Sequence, residues 1–259
     1  MPSQSYIPLT AVVITFNEER NIARCLKSLQ TVADEIVVLD SFSTDQTAII
    51  AASFPKVRFF PARWMGYAAS KNHANTLASN DWILSLDADE ELSPPLIDSL
   101  QKWKEKLSPA PAGFNRLTNY CGQWIRYCGW YPDFKFRVFN RNQFQWKGDI
   151  HEVLAPFSST ETKIVKLDGN CLHFSYYTPE EHFMQTEKFA RLWAIQAFGS
   201  GRKYSFLKRF FGPAIRFLRD YLLKGGILDG LSGFKICLVS AKGIALRQKF
   251  LFDLAHKSK

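Results

Sequence analysis

No uncharged apolar run in this 259-residue chain approaches the roughly 18 residues that a membrane-spanning helix needs. The opening Met-Pro-Ser-Gln-Ser-Tyr is polar and uncharged, and the apolar run after it is short, so no secretory signal is expected. Cysteine is sparse: five residues, at 25, 121, 128, 171 and 237, an odd number without a Cys-x-x-Cys pair. Cys121 and Cys128 are near each other in the chain, but no His or Cys cluster completes a zinc set. Reduced thiols in a cytoplasmic protein are the expectation. A glycine- and basic-rich phosphate loop is missing near the first apolar run, which argues against nucleotidyl transfer. None of the usual nucleic-acid recognition motifs occurs, and there is no internal repeat or low-complexity segment.

What is present supports a substantial core: 46% of residues are hydrophobic and 15% aromatic. The net charge of +9 is unevenly spread. From Arg202 to Lys259 there are 13 Lys and Arg against 3 Asp and Glu, whereas the preceding body has 20 against 21. A basic tail rich in apolar residues points to an anionic surface: membrane lipid, a lipid-linked substrate or nucleic acid.

The most informative stretch is residues 82 to 91, Trp-Ile-Leu-Ser-Leu-Asp-Ala-Asp-Glu-Glu. A short apolar run, read as a strand, ends in two carboxylates, Asp87 and Asp89. If the chain bends there, both can close on one hard cation, Mg2+ or Mn2+, which a diphosphate would share. The plain alternative is that these acids precede a helix beginning at Ser93-Pro94-Pro95.

Short apolar runs at Leu9 to Thr15, Glu35 to Leu39, Val57 to Phe60 and Trp82 to Leu86 alternate with helical patterns. The helices are read at Glu18 to Leu29, Asp45 to Ser53 and Met65 to Ala78. This is the pattern of βαβ units and a mostly parallel sheet. Sites in such sheets lie outside the carboxyl ends of the strands. Thr15-Phe16-Asn17-Glu18, Asp40-Ser41 and Asp87-Ala88-Asp89 all fall at such ends. After Pro109-Ala110-Pro111 the segment Gly113 to His173 reads as antiparallel strands added to the sheet edge. Thr178 caps a helix from Pro179 to Phe198, and two basic helical stretches follow the Gly199-Ser200-Gly201 break. The division expected is an α/β half at 1–110, strands at 111–178 that complete the same domain, and basic amphipathic helices at 179–259.

The chain resembles the inverting glycosyltransferases of family 2, and within them the group of bacterial lipopolysaccharide core β-1,4-glucosyltransferases. The resemblance rests on residues 12–19 (Val-Val-Ile-Thr-Phe-Asn-Glu-Glu), 35–47, 68–72 (Ala-Ala-Ser-Lys-Asn), 86–90 (Leu-Asp-Ala-Asp-Glu) and 148–152 (Gly-Asp-Ile-His-Glu). It spans about residues 8 to 175. It implies an α/β fold of GT-A type, a nucleotide-diphosphate sugar as donor (a UDP-sugar first), a divalent metal, and displacement with inversion. The family often has glycine where this chain has Phe42 and Gln46, so the loop after Asp40 is expected to differ.

On this reading Thr15, Asn17 and Glu18 line the base, Asp40 accepts from ribose or base, and Lys71 meets the diphosphate. Asp87 and Asp89 hold the metal, with His173 as a third ligand. Each has a structural alternative. Asn17 and Glu18 can start the first helix; Ser43, Thr44 and Asp45 can cap the second. Lys71 can be an exposed helix lysine, Arg137 an exposed strand arginine and His173 a core residue. For the base that takes the acceptor proton, Glu152 comes first by resemblance to the family's His-Glu pair, with Asp149, His151 and Asp133 as competitors.

In the tail, Leu207, Phe210, Phe211, Ala214, Ile215, Leu218, Tyr221 and Leu222 form a helical stripe beside Lys208, Arg209, Arg216 and Arg219, with Gly212-Pro213 able to kink it. Such a helix suits a membrane interface, or it packs its stripe on the catalytic domain. The expected partners are a nucleotide sugar, a lipid-linked or cell-envelope saccharide and the cytoplasmic face of an anionic inner membrane, not nucleic acid. The competing function is a catalytically silent sugar-nucleotide binder, or a nucleic-acid binder using the basic tail.

Overall fold

The computed structural model describes residues 6–106, 109–148, 152–158 and 162–257. The chain forms two compact units, Met1–Arg116 with Asp133–His173, and Leu117–Pro132 with Phe174–Lys259. The expected segment 111–178 therefore contributes to both.

The first unit opens with β1 (Leu9–Thr15), α1 (Ile22–Leu29), β2 (Glu35–Asp40), α2 (Thr47–Ala52), β3 (Val57–Pro61), α3 (Tyr67–Thr76) and β4 (Trp82–Asp87). β1 and β2 are buried along their whole length, as strands covered on both faces must be, and this is why they read as near-continuous apolar runs. The chain continues through β5 (Glu90–Leu92), α4 (Pro94–Lys104), β6 (Ala112–Tyr120), β7 (Gln123–Ile125), β8 (Asp133–Asn140), β9 (Phe144–Lys147), β10 (Val153–Pro156) and β11 (Val165–Tyr176). The main sheet has the order β3-β2-β1-β4-β8-β6-β11-β5, and β10 pairs with β9 separately. Strands β1 to β4 are mutually parallel; β8 runs antiparallel to β4, and β5 antiparallel to β11.

Alternate residues of β1 enter opposite cores, as the two-residue period requires. Leu9, Ala11 and Val13 meet Ile22, Leu26 and Leu29 of α1 and Trp103 of α4. Val12 and Ile14 meet Ala74, Ile83, Phe139 and Trp146 on the other face. Each fully buried aliphatic side chain contributes about 1.5–3 kcal/mol. In register, Thr15 stands opposite Asp40 and Ile14 opposite Asp87, so β1, β2 and β4 end level at their carboxyl termini.

Several boundaries differ from the periodicity. α1 starts at Ile22 rather than Glu18, and α2 at Thr47 rather than Asp45. In both cases polar residues are diverted into loop bonds before the helix begins. β5 is absent from the sequence reading altogether. It has three residues, two of them glutamates, and exists because β11 offers it an edge.

The second unit holds β7, the ends of β6 and β11, and the helices that follow. Thr178 caps α5 (Pro179–Gly199) with a full capping box closed by Glu181. α6 (Phe206–Leu218) runs through Gly212-Pro213 as one element, and regular bonding gives way only later, at a π-helical turn over Arg219–Leu223. A 3-10 turn (Gly226–Asp229) leads into α7 (Gly230–Lys257). That corner needs glycine, because a Cβ on Gly233 would strike the carbonyl oxygen of Gly226. The buried Asp229 secures it by accepting from the backbone N–H groups of Arg126 (3.1 Å) and Tyr127 (2.8 Å). All five cysteines are free thiols. The neighbour of Cys128 is Cys237, with sulfurs 3.7 Å apart. Among the described residues no helix is long and apolar enough to cross a membrane.

Candidate active site

The loops after β1 and β2 are stitched together. Asn17 sits at φ +54°. Its N–H donates to Ser43 Oγ (2.8 Å) and its Oδ1 accepts from Thr44 N–H (2.8 Å). The N–H groups of Glu18 and Glu19 donate to Thr47 Oγ1 and Asp45 Oδ2. Asn17 and Glu18 are thus loop residues, not the start of α1. Ser43 and Thr44 likewise serve this loop contact rather than capping α2, and Asp45 accepts from Thr47 N–H at 2.9 Å. Asp40 is buried, and both its oxygens accept from Ser43, one of them from the N–H at 2.8 Å. Phe42 is held at φ +60°, a left-handed conformation that glycine adopts without the cost a side chain incurs. The departure noted in the sequence is therefore a bulky residue forced into a glycine conformation, with its ring exposed. Thr15, level with Asp40 at the strand ends, has a buried Oγ1 with no hydrogen-bond partner among the described residues.

At the end of β4 lies a chain of buried charges. Lys71, on α3, is 1% exposed. Its Nζ is 2.9 Å from Asp87 Oδ1 and 2.9 Å from Glu152 Oε1. It is not an exposed helix lysine. Arg137, on β8, is also buried and donates to Asp87 Oδ2 (2.9 Å) and Glu90 Oε1 (3.3 Å). Glu90 in turn takes Arg116 (3.3 Å), and Arg116 takes Asp133 (3.0 Å). Burial opposes ionisation of Asp87, but Lys71 and Arg137 overcome it and hold the carboxyl well below the usual range. Asn72, next to Lys71, clamps the backbone of Trp146 in both directions at 2.9 Å. This fixes α3 against β9 and places the Trp146 ring 4.8 Å from Lys71 Nζ.

β5 does the remaining positioning. Glu90 pairs in register with His173, so the preceding Asp89 arrives beside the imidazole. Asp89 Oδ2 and His173 Nε2 are 3.1 Å apart. His173 is therefore not a core residue satisfied by the sheet alone. Glu18 is near the same place. Burial is the main cause that pushes its carboxyl up to about 7; the bond from Asn21 pulls the other way, and the charges of Asp89 and Asp45 add to the rise. Negative charge is in excess there.

The two aspartates therefore differ. Asp87 is saturated by two cations, while Asp89 stands with an imidazole in a negative field. Among the described residues no group of three or more His, Cys, Asp and Glu side chains is disposed to cage a metal. A carboxylate and an imidazole nonetheless fit Mg2+ or Mn2+ that completes its shell with phosphate oxygens and water.

Of the proton-acceptor candidates, Glu152 is in this cluster, whereas Asp149 and His151 lie outside the described residues. Asp133 is engaged by Arg116 and Lys135. Sequence reading passed over Glu90, Arg116 and Tyr67. Burial, then the charges of Glu152, Asp87 and Asp89, raise the Tyr67 hydroxyl above its ordinary value. Its ring packs edge-on to the exposed Trp64 at 4.8 Å. The Trp64 and Tyr67 pair, exposed beside a polar site, was the available signal.

A parallel sheet with level strand ends, extended by antiparallel strands and flanked by helices, is the GT-A type of fold. Residues 10–163 match the family model for Glycosyl transferase family 2. The chain is also 32% identical over 244 residues to the lipopolysaccharide core biosynthesis glycosyltransferase LpsC of Rhizobium meliloti (strain 1021), covering 88% of this chain and 86% of that one. The chain belongs to glycosyltransferase family 2 and is a glycosyltransferase. An uncharacterized glycosyltransferase of Rickettsia typhi is 28% identical, with 97% and 89% covered. Among solved structures, S. aureus TarS 1-349 aligns over 97% of this chain and 92% of that one, at 15% identity and a TM-score of 0.46.

Proposed function

We propose that this chain is an inverting, metal-assisted transferase that moves a sugar from a UDP-sugar to a lipid-linked or cell-envelope saccharide of the lipopolysaccharide core type. The observation that carries the reading is the convergence of a buried lysine and arginine with a carboxylate–imidazole pair at the carboxyl ends of β1 and β4. The likeness to LpsC along most of both chains supports the acceptor class.

The reaction follows from these groups. The unsatisfied Thr15 hydroxyl and the Asp40 carboxylate meet the uridine. Lys71 and Arg137 are cations held in place beforehand, so they stabilise the charge growing on the diphosphate without reorganising. Asp89 and His173 would hold the Mg2+ or Mn2+, which supplies Lewis acidity to the departing diphosphate. When the diphosphate occupies Lys71, Glu152 is released from its ion pair. Its carboxylate then accepts the proton of the acceptor hydroxyl as that oxygen bonds to the anomeric carbon. The bond from that carbon to the diphosphate breaks on the opposite face, and UDP leaves with the electron pair.

The test pairs donor binding with product analysis. A panel of nucleotide sugars with and without Mn2+ is scored by thermal shift, and the product formed on deacylated core oligosaccharide is read by NMR. A UDP-sugar that stabilises only with Mn2+, and a β-linked product from an α-linked donor, are expected. An α-linked product would overturn inversion. Donor binding without turnover on any saccharide would favour the silent binder.

A further inference from the structure

The helical unit carries an unpartnered apolar face next to a basic cavity, and neither belongs to the site above. On α6, Gly212 faces α7: a Cβ there would meet Ile244 Cγ2 at 2.9 Å. The arc turned away from α7, at the 100° spacing of a helix, holds Phe206, Leu207, Phe210, Phe211, Ile215 and Leu218. All six are more than half exposed. The exposed apolar series continues through Leu222, Leu223 (84% exposed), Ile227, Leu228 and Leu231.

On the other side of α6 a cavity of about 520 Å³ opens between α5, α6 and α7. Arg202, Lys203, Lys208 and Arg247 line it together with Trp193 and Gln248, and among the described residues no carboxylate does. The Asp220 carboxylate is taken by Arg216, Arg219 and Lys224 instead. Arg247 is half-buried and has the Trp193 ring 5.7 Å away. Burial and the charge of Arg216 pull its guanidinium below the usual range, as for a cation lacking an anion.

We propose that this unit docks on an anionic lipid bilayer, with the α6 face entering the interface and the α5–α6–α7 cavity holding the phosphate ester of a lipid head group. Charge complementarity selects the occupant. The arc is bordered by Lys208 and Arg219 on one edge and Arg209 and Arg216 on the other, the arrangement that sinks an apolar face about 5–10 Å into the headgroup layer. A protein partner would need its own apolar strip, whereas a bilayer supplies apolar depth and anionic phosphate together. The inference does not depend on the reaction assigned above, because its readout is lipid binding.

The test is co-sedimentation of the full chain with phosphatidylglycerol-containing vesicles and with phosphatidylcholine vesicles, at low and high salt. Wild type is expected to prefer the anionic vesicles by at least about ten-fold and to release with salt. Lys208→Gln with Arg247→Gln should weaken anionic binding by about 25-fold, at about five-fold per charge, and weaken binding to the zwitterionic phosphatidylcholine by less. Leu207→Ser with Phe211→Ser should weaken both by about 100-fold. Circular dichroism verifies that each variant is folded, and transfer to a soluble acceptor should persist. Binding of both variants equal to wild type would overturn the proposal. So would stabilisation by inorganic phosphate without vesicle binding, or self-association through the α6 face in place of lipid binding.

Discussion

Replacing Lys71 by Met tests the electrostatic core of the site. The lysine is buried, with Nζ 2.9 Å from both Asp87 and Glu152. Its removal acts unequally on the two acids. Asp87 keeps Arg137 at 2.9 Å, so it stays ionised and partnered. Glu152 loses its lysine and remains mostly buried. Each charge-assisted bond is worth about 1.5–3 kcal/mol, and breaking one partner out of a buried pair costs about 3–5 kcal/mol. The expected destabilisation is about 4 kcal/mol, read by urea unfolding, or about a 10 °C fall in Tm for a chain of this size. Most of the penalty belongs to the stranded Glu152. The double variant Lys71→Met with Glu152→Gln should therefore recover about half of it and still be inactive. Unfolding of Lys71→Met within about 1 kcal/mol of wild type would refute the reasoning. So would strictly additive effects of the two substitutions, because both outcomes mean the cation is not sustaining the carboxylates.

Asp89→Asn should abolish the Mn2+-dependent part of the UDP-sugar thermal shift while leaving the melting of the protein alone nearly unchanged, because Asp89 is not in the Lys71–Asp87–Arg137 cluster. A persistent Mn2+ effect would place the metal elsewhere. Glu18 rises from its ordinary 4.5 to about 7, so the folded chain binds a proton that the unfolded chain has lost. Stability is full below 4.5 and falls by about 3 kcal/mol as pH rises through 7; Glu18→Gln should flatten that slope in metal-free urea titrations. His182 shifts the other way: burial among aromatic rings lowers it from 6.5 to about 4. Its contribution is full above pH 6.5 and is lost as pH falls through 4, so His182→Phe should be more acid-resistant than wild type in thermal melts at pH 4 to 5. Equal acid sensitivity would mean the imidazole titrates freely.

The parallel half was legible because its signals are local. Near-continuous apolar runs such as Leu9 to Thr15, short and set between helical patterns, fit strands buried on both faces, and polar residues at their carboxyl ends mark a site. The burial of Lys71 was not legible: a lysine between Ser70 and Asn72 on a short helix looks solvated, and its fate depends on Glu152, far along the chain. Helix starts were misplaced for a related reason. Glu18 and Asp45 look like first-turn acids, yet their loops bind each other across β1 and β2, and that pairing outweighs capping. The amphipathic character of α6 could be read from spacing, but not which way its apolar arc faces. Packing settles it: Gly212 is on the side facing α7, where a Cβ would meet Ile244 Cγ2 at 2.9 Å.

The separation of Asp87 from Asp89 follows from β5. A two-residue period alone would put both carboxylates on one face of a continuing strand. The chain instead leaves β4 at Asp87 and enters β5 at Glu90, pairing with β11. Asp87 remains level with the end of β1, where Lys71 and Arg137 reach it. Asp89 is carried to the edge where His173 stands. Glu90 is the hinge of this arrangement: it is fully buried, it accepts from Arg137 and Arg116, and its Oε2 takes the N–H of Asp87 at 3.0 Å. Glu90→Gln would keep the size and the Asp87 N–H bond but leave two buried guanidinium groups sharing Asp87 and Asp133. The expected result is a loss of stability of about 3 kcal/mol. If the bend is held by that N–H bond rather than by the charge, the metal binding proposed for Asp89 and His173 survives in Glu90→Gln and fails in Glu90→Ala. Equal loss of metal binding in both would show that the charge network, not the turn, sets where Asp89 points.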